Sequence, residues 1–147
     1  MFDQQTISIE TRGRALIEIT REVEAAIRGT PIDRGMCHVF LHHTSASLVI
    51  TENADGNVLR DLENYIARLV ADGDPAYLHD QEGPDDMAAH IRSVLTQSEI
   101  TLPVRAGRLA LGTWQGLFLW EHRHRPHRRN ITITLTGPGS ESAISTD

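Results

Sequence analysis

The chain has 147 residues, which suits one domain, and its single cysteine, Cys37, excludes an intramolecular disulfide and a cysteine-rich zinc site. The net charge of −6 argues against a general nucleic-acid-binding protein, because the phosphate backbone favours an excess of positive charge. All fourteen basic residues are arginines, which excludes chemistry that requires a lysine, such as a Schiff base.

The apolar pattern of the first half predicts four strands and two helices. The strands cover residues 6–10, 15–19, 36–41 and 48–51, and the helices cover 21–28 and 55–71. Gly13 lies between the first two strands, so we predict that these strands pair as a β-hairpin. Thr20 is the predicted N-cap of the first helix, and Asn53 and Asp55 are the predicted cap residues of the second.

The second half is predicted to contain one helix followed by strands. The helix begins at Pro84 and ends near Leu95. Four strands then follow, over 100–104, 108–112, 116–120 and 131–135, with a tight turn at Ala106-Gly107. Residues 137–147 are rich in Gly, Ser and acidic residues and predict a flexible tail. We therefore expect a single domain over 1–136 and a tail over 137–147.

The densest group of chemically active side chains lies between His79 and His90, where two histidines and four carboxylates occur within twelve residues. Asp86 precedes His90 by one helical turn, so both project from the same face. His79 and Glu82 belong to the loop that leads into this helix. We expect these side chains to converge, with Glu82 and Asp86 as the carboxylates that face inwards and act as catalytic groups. The alternative for the aspartates is simple complementarity with the helix dipole.

A glycine-rich segment near residue 112 has the composition of an anion-binding loop. Glycines allow backbone N–H groups to approach a ligand, and the side chains of Arg108, Thr113 and Gln115 add further donors. We predict that these three residues bind the substrate. The other interpretation, compatible with the first, is a bulge between two strands with Trp114 packed in the core.

Two further polar segments invite functional interpretations. The Ser45 hydroxyl lies at a strand end, where it would bond either the backbone or a bound phosphate. A serine nucleophile is disfavoured there because no G-x-S-x-G motif surrounds it. The His- and Arg-rich run over 122–129 has the composition of a metal cluster or nucleic-acid patch. Because it lies between two strands of an acidic chain, we predict a solvated connection instead.

Three strings, over 43–47, 79–90 and 107–116, together resemble the YjbQ-like family, also called uncharacterised protein family 0047 or the secondary thiamine-phosphate synthase family. The resemblance covers nearly the whole chain except the tail. It implies an α+β fold in which a curved, partly closed and mostly antiparallel β-sheet accompanies two main helices. It also implies assembly as a homotrimer.

The resemblance further implies a divalent metal ion, zinc or magnesium, at the positions of the family's histidines, which here are His43, His79 and His90. Three imidazoles from separate elements can bind such an ion and leave a position open for substrate. The alternative is that one or more of them bonds a backbone group. His42 alternates with His43 along its strand and faces the other way, so we expect it to be structural.

The activity that the resemblance implies joins a hydroxymethylpyrimidine diphosphate to a thiazole phosphate and releases pyrophosphate. In this hypothesis the chain is a transferase, with Arg108 holding an anionic group and Glu82 moving a proton. The competing hypothesis is a non-catalytic, trimeric protein that binds a metal or an anion and handles a metabolite. We expect no nucleic-acid partner, no membrane association and a cytoplasmic location, since the N-terminus lacks a basic start and an apolar run.

Overall fold

A computed structural model describes residues 1–138, in which three helices accompany two antiparallel sheets. The strands are β1 (Phe2–Glu10), β2 (Ala15–Glu18), β3 (Gly35–Leu41), β4 (Ala46–Glu52), β5 (Glu99–Arg105), β6 (Arg108–Leu109), β7 (Gln115–Glu121) and β8 (Arg128–Thr136). The helices are α1 (Thr20–Arg28), α2 (Gly56–Leu69) and α3 (Asp86–Leu95). Among the described residues, the helices are too short or too polar to cross a membrane.

The strands form a five-stranded sheet in the order β1-β8-β3-β5-β6 and a three-stranded sheet in the order β2-β7-β4. Every pairing between neighbours is antiparallel, and the strands curl into a half-barrel. This confirms the predicted α+β class and the curved sheet. The predicted helices over 55–71 and 84–95 correspond to α2 and α3, and α1 is the third helix.

The predicted N-terminal hairpin is wrong. β1 pairs with β8, and β2 pairs with β7, so the two consecutive strands belong to different sheets. Between them Gly13 adopts a φ of +142°, and a Cβ there would lie 2.9 Å from the carbonyl oxygen of His124. Glycine therefore allows the chain to pass close to another backbone as it crosses from one sheet to the other.

The core forms where inward-facing side chains of both sheets meet α1. Strands β5 and β8 alternate buried and more exposed residues, as expected for strands with one face against the core. α1 adds Val23, Ala26 and Ile27 to this core. A smaller apolar cluster lies under α2 and α3, where Ile66 and Ala88 pack with Trp120 of β7. The two long helices are thereby held against the outside of the smaller sheet.

Two predicted helix starts require correction. Thr20 does not cap α1, because its hydroxyl donates to Glu18 at 2.9 Å and accepts from the backbone N–H of Leu117. α3 begins at Asp86 and not at Pro84, since Gly83 adopts a left-handed φ of +104° and the chain turns before the helix. The Asp55 cap of α2 is confirmed: its carboxylate accepts from the backbone N–H of Asn57 at 2.9 Å.

The end of β8 is tied to the start of the chain. The backbone N–H of Gly137 donates to the carbonyl oxygen of Met1 at 3.1 Å, and the Met1 amino group donates to the Gly137 carbonyl at 2.6 Å. The predicted tail over 137–147 therefore begins with a paired residue. Residues 139–147 of this tail lie outside the described residues.

Candidate metal centre

The structure brings together His79, Asp86 and His90, whose potential ligand atoms all lie within 4.8 Å of one another. Nε2 of His79 lies 2.6 Å from Oδ2 of Asp86, and Nε2 of His90 lies 3.6 Å from the same oxygen. The i, i+4 spacing along α3 places Asp86 and His90 on one face, while the preceding loop delivers His79. The predicted convergence of this segment is therefore present for three of its side chains, but the prediction that Glu82 faces inwards is wrong, because its side chain is exposed.

The ring of His90 is oriented by the connection between β3 and β4. Its Nδ1 lies 3.1 Å from the backbone carbonyl oxygen of Thr44, which can only accept a hydrogen bond. Nδ1 must therefore carry a proton, and Nε2 faces Asp86. A hydrogen bond of this kind fixes the tautomer and ring orientation of a metal-binding histidine.

Asp86 is the buried member of the site, with 2% of its side chain exposed. Burial alone would raise the pKa of Asp86. The hydrogen bond with His79 and the charges of Arg123 and His90 outweigh this effect and hold the pKa below its usual value. Oδ1 accepts from Nη1 of Arg123 at 2.7 Å, which leaves Oδ2 directed at the two histidines. The carboxylate is therefore ionised and aimed before any ligand arrives.

Arg123 fixes this arrangement from the far side. Its Nε donates to Asp85 at 3.0 Å, its Nη1 donates to Asp86, and its Nη2 donates to the backbone carbonyl oxygen of Glu82 at 2.8 Å. Burial would raise the pKa of Asp85, but the backbone N–H of His124 and the Arg123 guanidinium lower it to about 2. Three bonds from one planar group hold the loop and the start of α3 together.

Arg123 belongs to the 122–129 run, and the prediction that this run is a solvated connection is wrong for the residues at its two ends, while residues 124–126 and 128 are exposed. His122 and Arg129 are buried, and Arg123 is 11% exposed at its side chain. The His122 Nε2 lies 2.8 Å from the hydroxyl of Ser47, and burial followed by the charge of Arg92 lowers the pKa of His122 to about 3. His122 is therefore neutral at physiological pH. These residues are buried because they contact residues distant in the sequence, such as Ser47 and Asp85. Composition alone could not indicate these contacts.

His43 does not join the cluster within one chain. Its Nε2 accepts a hydrogen bond from the backbone N–H of Asn130 at 2.8 Å, and burial lowers its pKa below the usual value. The sequence hypothesis combined His43 with His79 and His90. The structure instead places Asp86 beside these two histidines. His42 bonds the Thr132 hydroxyl at 2.7 Å on the exposed face of the sheet, as a structural residue would.

Two of the residues predicted to bind substrate lie apart from this cluster, whereas Ser45 follows Thr44, whose carbonyl is bonded to His90. Arg108 and Gln115 line a separate cavity of about 910 Å³, whose wall contains none of the three clustered residues. Gln115 there accepts from the backbone N–H of Gly112, while Thr113 is exposed. The Ser45 hydroxyl accepts from Arg129 at 3.0 Å inside the protein. Trp114 is 63% exposed and does not pack in the core, so that part of the bulge interpretation is wrong.

The donor set of the cluster fits a divalent cation. Two imidazole nitrogens with one carboxylate oxygen suit zinc or a similar ion and leave a coordination position open. Ligands at about 2.1 Å in a tetrahedral site are separated by roughly 3.4 Å, close to the 3.6 Å between Asp86 and His90. The 2.6 Å contact of His79 with Asp86 is a hydrogen bond, and the His79 ring is exposed.

Comparison with known proteins gives one consistent family. The family model described as UPF0047 protein YjbQ-like matches residues 5–138. The UPF0047 protein sll1880 of Synechocystis is 47% identical over 134 residues, which are 91% of each chain. UPF0047 protein YjbQ of Salmonella typhimurium is 44% identical over 138 residues, which cover 93% of this chain and 99% of that one.

The fold is also present among solved structures. The conserved hypothetical protein TT1486 of Thermus thermophilus superimposes with a TM-score of 0.81 at 34% identity, over 90% of this chain and 99% of that one. The resemblance inferred from the three sequence strings is thereby confirmed.

Proposed function

The chain belongs to the UPF0047 YjbQ-like family, and from this premise and the geometry above we propose that it is a metal-dependent enzyme acting on a small phosphorylated substrate. The observation that carries the proposal is the cluster of His79, Asp86 and His90, oriented by Thr44 and Arg123 before any ligand binds. Preorganisation of this kind is typical of sites that bind and polarise a ligand.

We propose zinc as the ion, because two nitrogen donors suit a borderline cation better than magnesium, which prefers oxygen ligands. When bound, the ion would polarise a phosphoryl oxygen and stabilise charge that develops on it. His79, Asp86 and His90 would hold it. Glu82 follows His79 in the same loop and lines the cavity beside the cluster, where its carboxylate is exposed and can accept a proton.

The named candidate reaction is thiamine-phosphate synthesis, in which a bond forms between the pyrimidine and thiazole halves and pyrophosphate leaves. Its chemistry suits the cluster because the leaving group carries negative charge that a cation stabilises. The support for this reaction is the resemblance together with the donor set. The competing, non-catalytic function would use the same side chains to hold a metal without turnover.

The test is a zinc titration of the purified chain by calorimetry. We expect one zinc ion per chain, and stabilisation against unfolding by about 2.7 kcal/mol at a free zinc concentration 100 times the Kd. Asp86→Asn should weaken zinc binding on the order of 100-fold, since the anionic ligand is lost. The matched control is Asp80→Asn, an exposed carboxylate of the same loop that lies outside the cluster. Unchanged affinity in the Asp86 variant would refute the site.

We also propose a trimer built on the open face of the five-stranded sheet. On this face Phe2 and Met36 flank Thr136 in register, and they are 65% and 53% exposed. Phe40 lies further along β3 on the same face and is 37% exposed. Exposed apolar side chains grouped on one face of a sheet are typical of a surface that another chain covers.

Light scattering is expected to give three times the 16.4 kDa mass of the chain. Phe40→Asp should shift the protein towards a monomer, because a charge would be buried without a partner in the interface. Tyr65→Asp on the exposed surface of α2 is the control and should leave the mass unchanged. A monomeric wild-type protein at micromolar concentration would contradict the assembly.

A further inference from the structure

A second cavity lies beside Arg123, the residue that orients Asp86. It has a volume of about 440 Å³ and is lined by Gln81, Glu82, Gly83, Arg123, Arg125 and His127. Arg123 connects it to the cluster, because the same guanidinium that forms part of its wall donates to Asp86. The volume lies within the range of small-molecule sites. A molecule in this cavity would therefore contact the arginine that holds Asp86 in place.

The loop that carries Arg125 is anchored on both sides. Before it, the backbone N–H of His124 donates to Asp85 at 2.9 Å. After it, the backbone N–H of His127 donates to the Thr11 hydroxyl at 2.9 Å, and the carbonyl oxygen of His127 accepts from the backbone N–H of Thr11 at 2.8 Å. Arg125 thus projects from a short segment whose position is set, which lowers the entropic cost of binding a ligand.

Some hydrogen-bond donors that line this cavity already bond other protein groups, and others do not. The three nitrogens of Arg123 are directed at Asp85, Asp86 and the Glu82 carbonyl. Arg125, by contrast, forms no ion pair within residues 1–138. His127 donates from Nδ1 to the Arg125 carbonyl at 2.8 Å, so its Nε2 is not used in this bond and can donate to an anion in the imidazolium form. The cavity therefore offers one uncommitted guanidinium and one oriented imidazole.

We propose that Arg125 and His127, with the amide of Gln81, form an anion subsite that receives a phosphate or pyrophosphate group of the substrate. A guanidinium matches phosphate through two parallel hydrogen bonds. The inference rests on the proposed function and deepens it, since it assigns anion recognition to Arg125 in place of Arg108. Arg108 lines the other cavity, where the weak contact of its Nε with Glu24 is 3.9 Å.

The test uses inorganic pyrophosphate as the probe, titrated by calorimetry into the zinc-loaded protein. We expect the wild type to bind it and Arg125→Gln to weaken binding on the order of 10-fold or more, because a charge-assisted bond is lost. Zinc affinity should be the same in both proteins. Arg128→Gln is the matched control, since this neighbouring arginine is 70% exposed and pairs with Glu10.

The outcomes separate the subsite from the metal centre. If the wild type binds no pyrophosphate, or if Arg125→Gln retains full affinity while zinc still binds, the subsite is refuted and the metal centre stands. A loss of pyrophosphate affinity in Arg108→Gln, with none in Arg125→Gln, would return recognition to the other cavity. If zinc does not bind, the proposed function fails, and the same comparison in the zinc-free protein decides the subsite alone.

Discussion

Glu82→Gln is expected to lower the rate of thiamine-phosphate formation 100-fold or more while leaving the fold and the zinc affinity intact. The side chain is exposed and lies outside the ligand cluster, but its loop is held because its backbone carbonyl accepts from Arg123 at 2.8 Å. Glutamine keeps the shape of this residue and removes its ability to accept a proton. Loss of a general base or acid typically costs 10²- to 10⁴-fold in rate.

Steady-state kinetics and a parallel zinc titration would separate the possible roles of Glu82. Asp80→Asn is the control for a change of charge in the same exposed loop, and it should retain wild-type kcat. Full activity in the Glu82 variant would show that another group moves the proton. If the variant lost zinc as well, Glu82 would be a ligand, and Asp86 would be the residue to examine as the base.

The part of the site that sequence could predict is the part that is local. Asp86 and His90 are four residues apart in a helix, so helical geometry alone places them on one face. Arg123 lies 37 residues from Asp86, at the end of β7, and its approach depends on how the sheet is assembled. The same limit explains Arg108: a pattern typical of anion binding says nothing about which cavity the fold places it in.

The strands show the same division between local and non-local information. The extent of β3 and β7 was predicted to within one residue because alternation and apolar runs are local signals. The partners of β1 and β2 were predicted wrongly because each pairs with a strand about a hundred residues later. Two short segments beside a glycine have the pattern of a hairpin, but each forms its backbone hydrogen bonds with a C-terminal strand instead.

Glu121, at the end of β7, is a fully buried carboxylate and therefore requires hydrogen-bond and charge partners. Arg129 donates to both of its oxygens, and Thr11 donates at 2.7 Å. The backbone N–H groups of His122 and Arg123 add bonds of 3.0 and 3.2 Å. Burial would raise the pKa of Glu121, but these donors, led by Arg129, hold it below its usual value. The network connects β7, β8 and Thr11, the residue after β1. It also includes the backbone of Arg123, whose side chain holds Asp85 and Asp86.

Glu121→Gln is therefore expected to destabilise the protein by about 3–5 kcal/mol, since it leaves Arg129 charged and buried without a counter-ion. The amide nitrogen of glutamine would also face donors where a carboxylate oxygen now accepts. Urea unfolding at pH 7 measures the change.

The matched control is Glu10→Gln. The partner of Glu10 is Arg128, which lies 3.6 Å away on the surface, so this substitution should lower the free energy of unfolding by about 1 kcal/mol or less. Adding Arg129→Met to the Glu121 variant should recover part of the loss by removing the unpaired charge. Equal effects of the two single variants would show that the buried pair contributes no more than the exposed one.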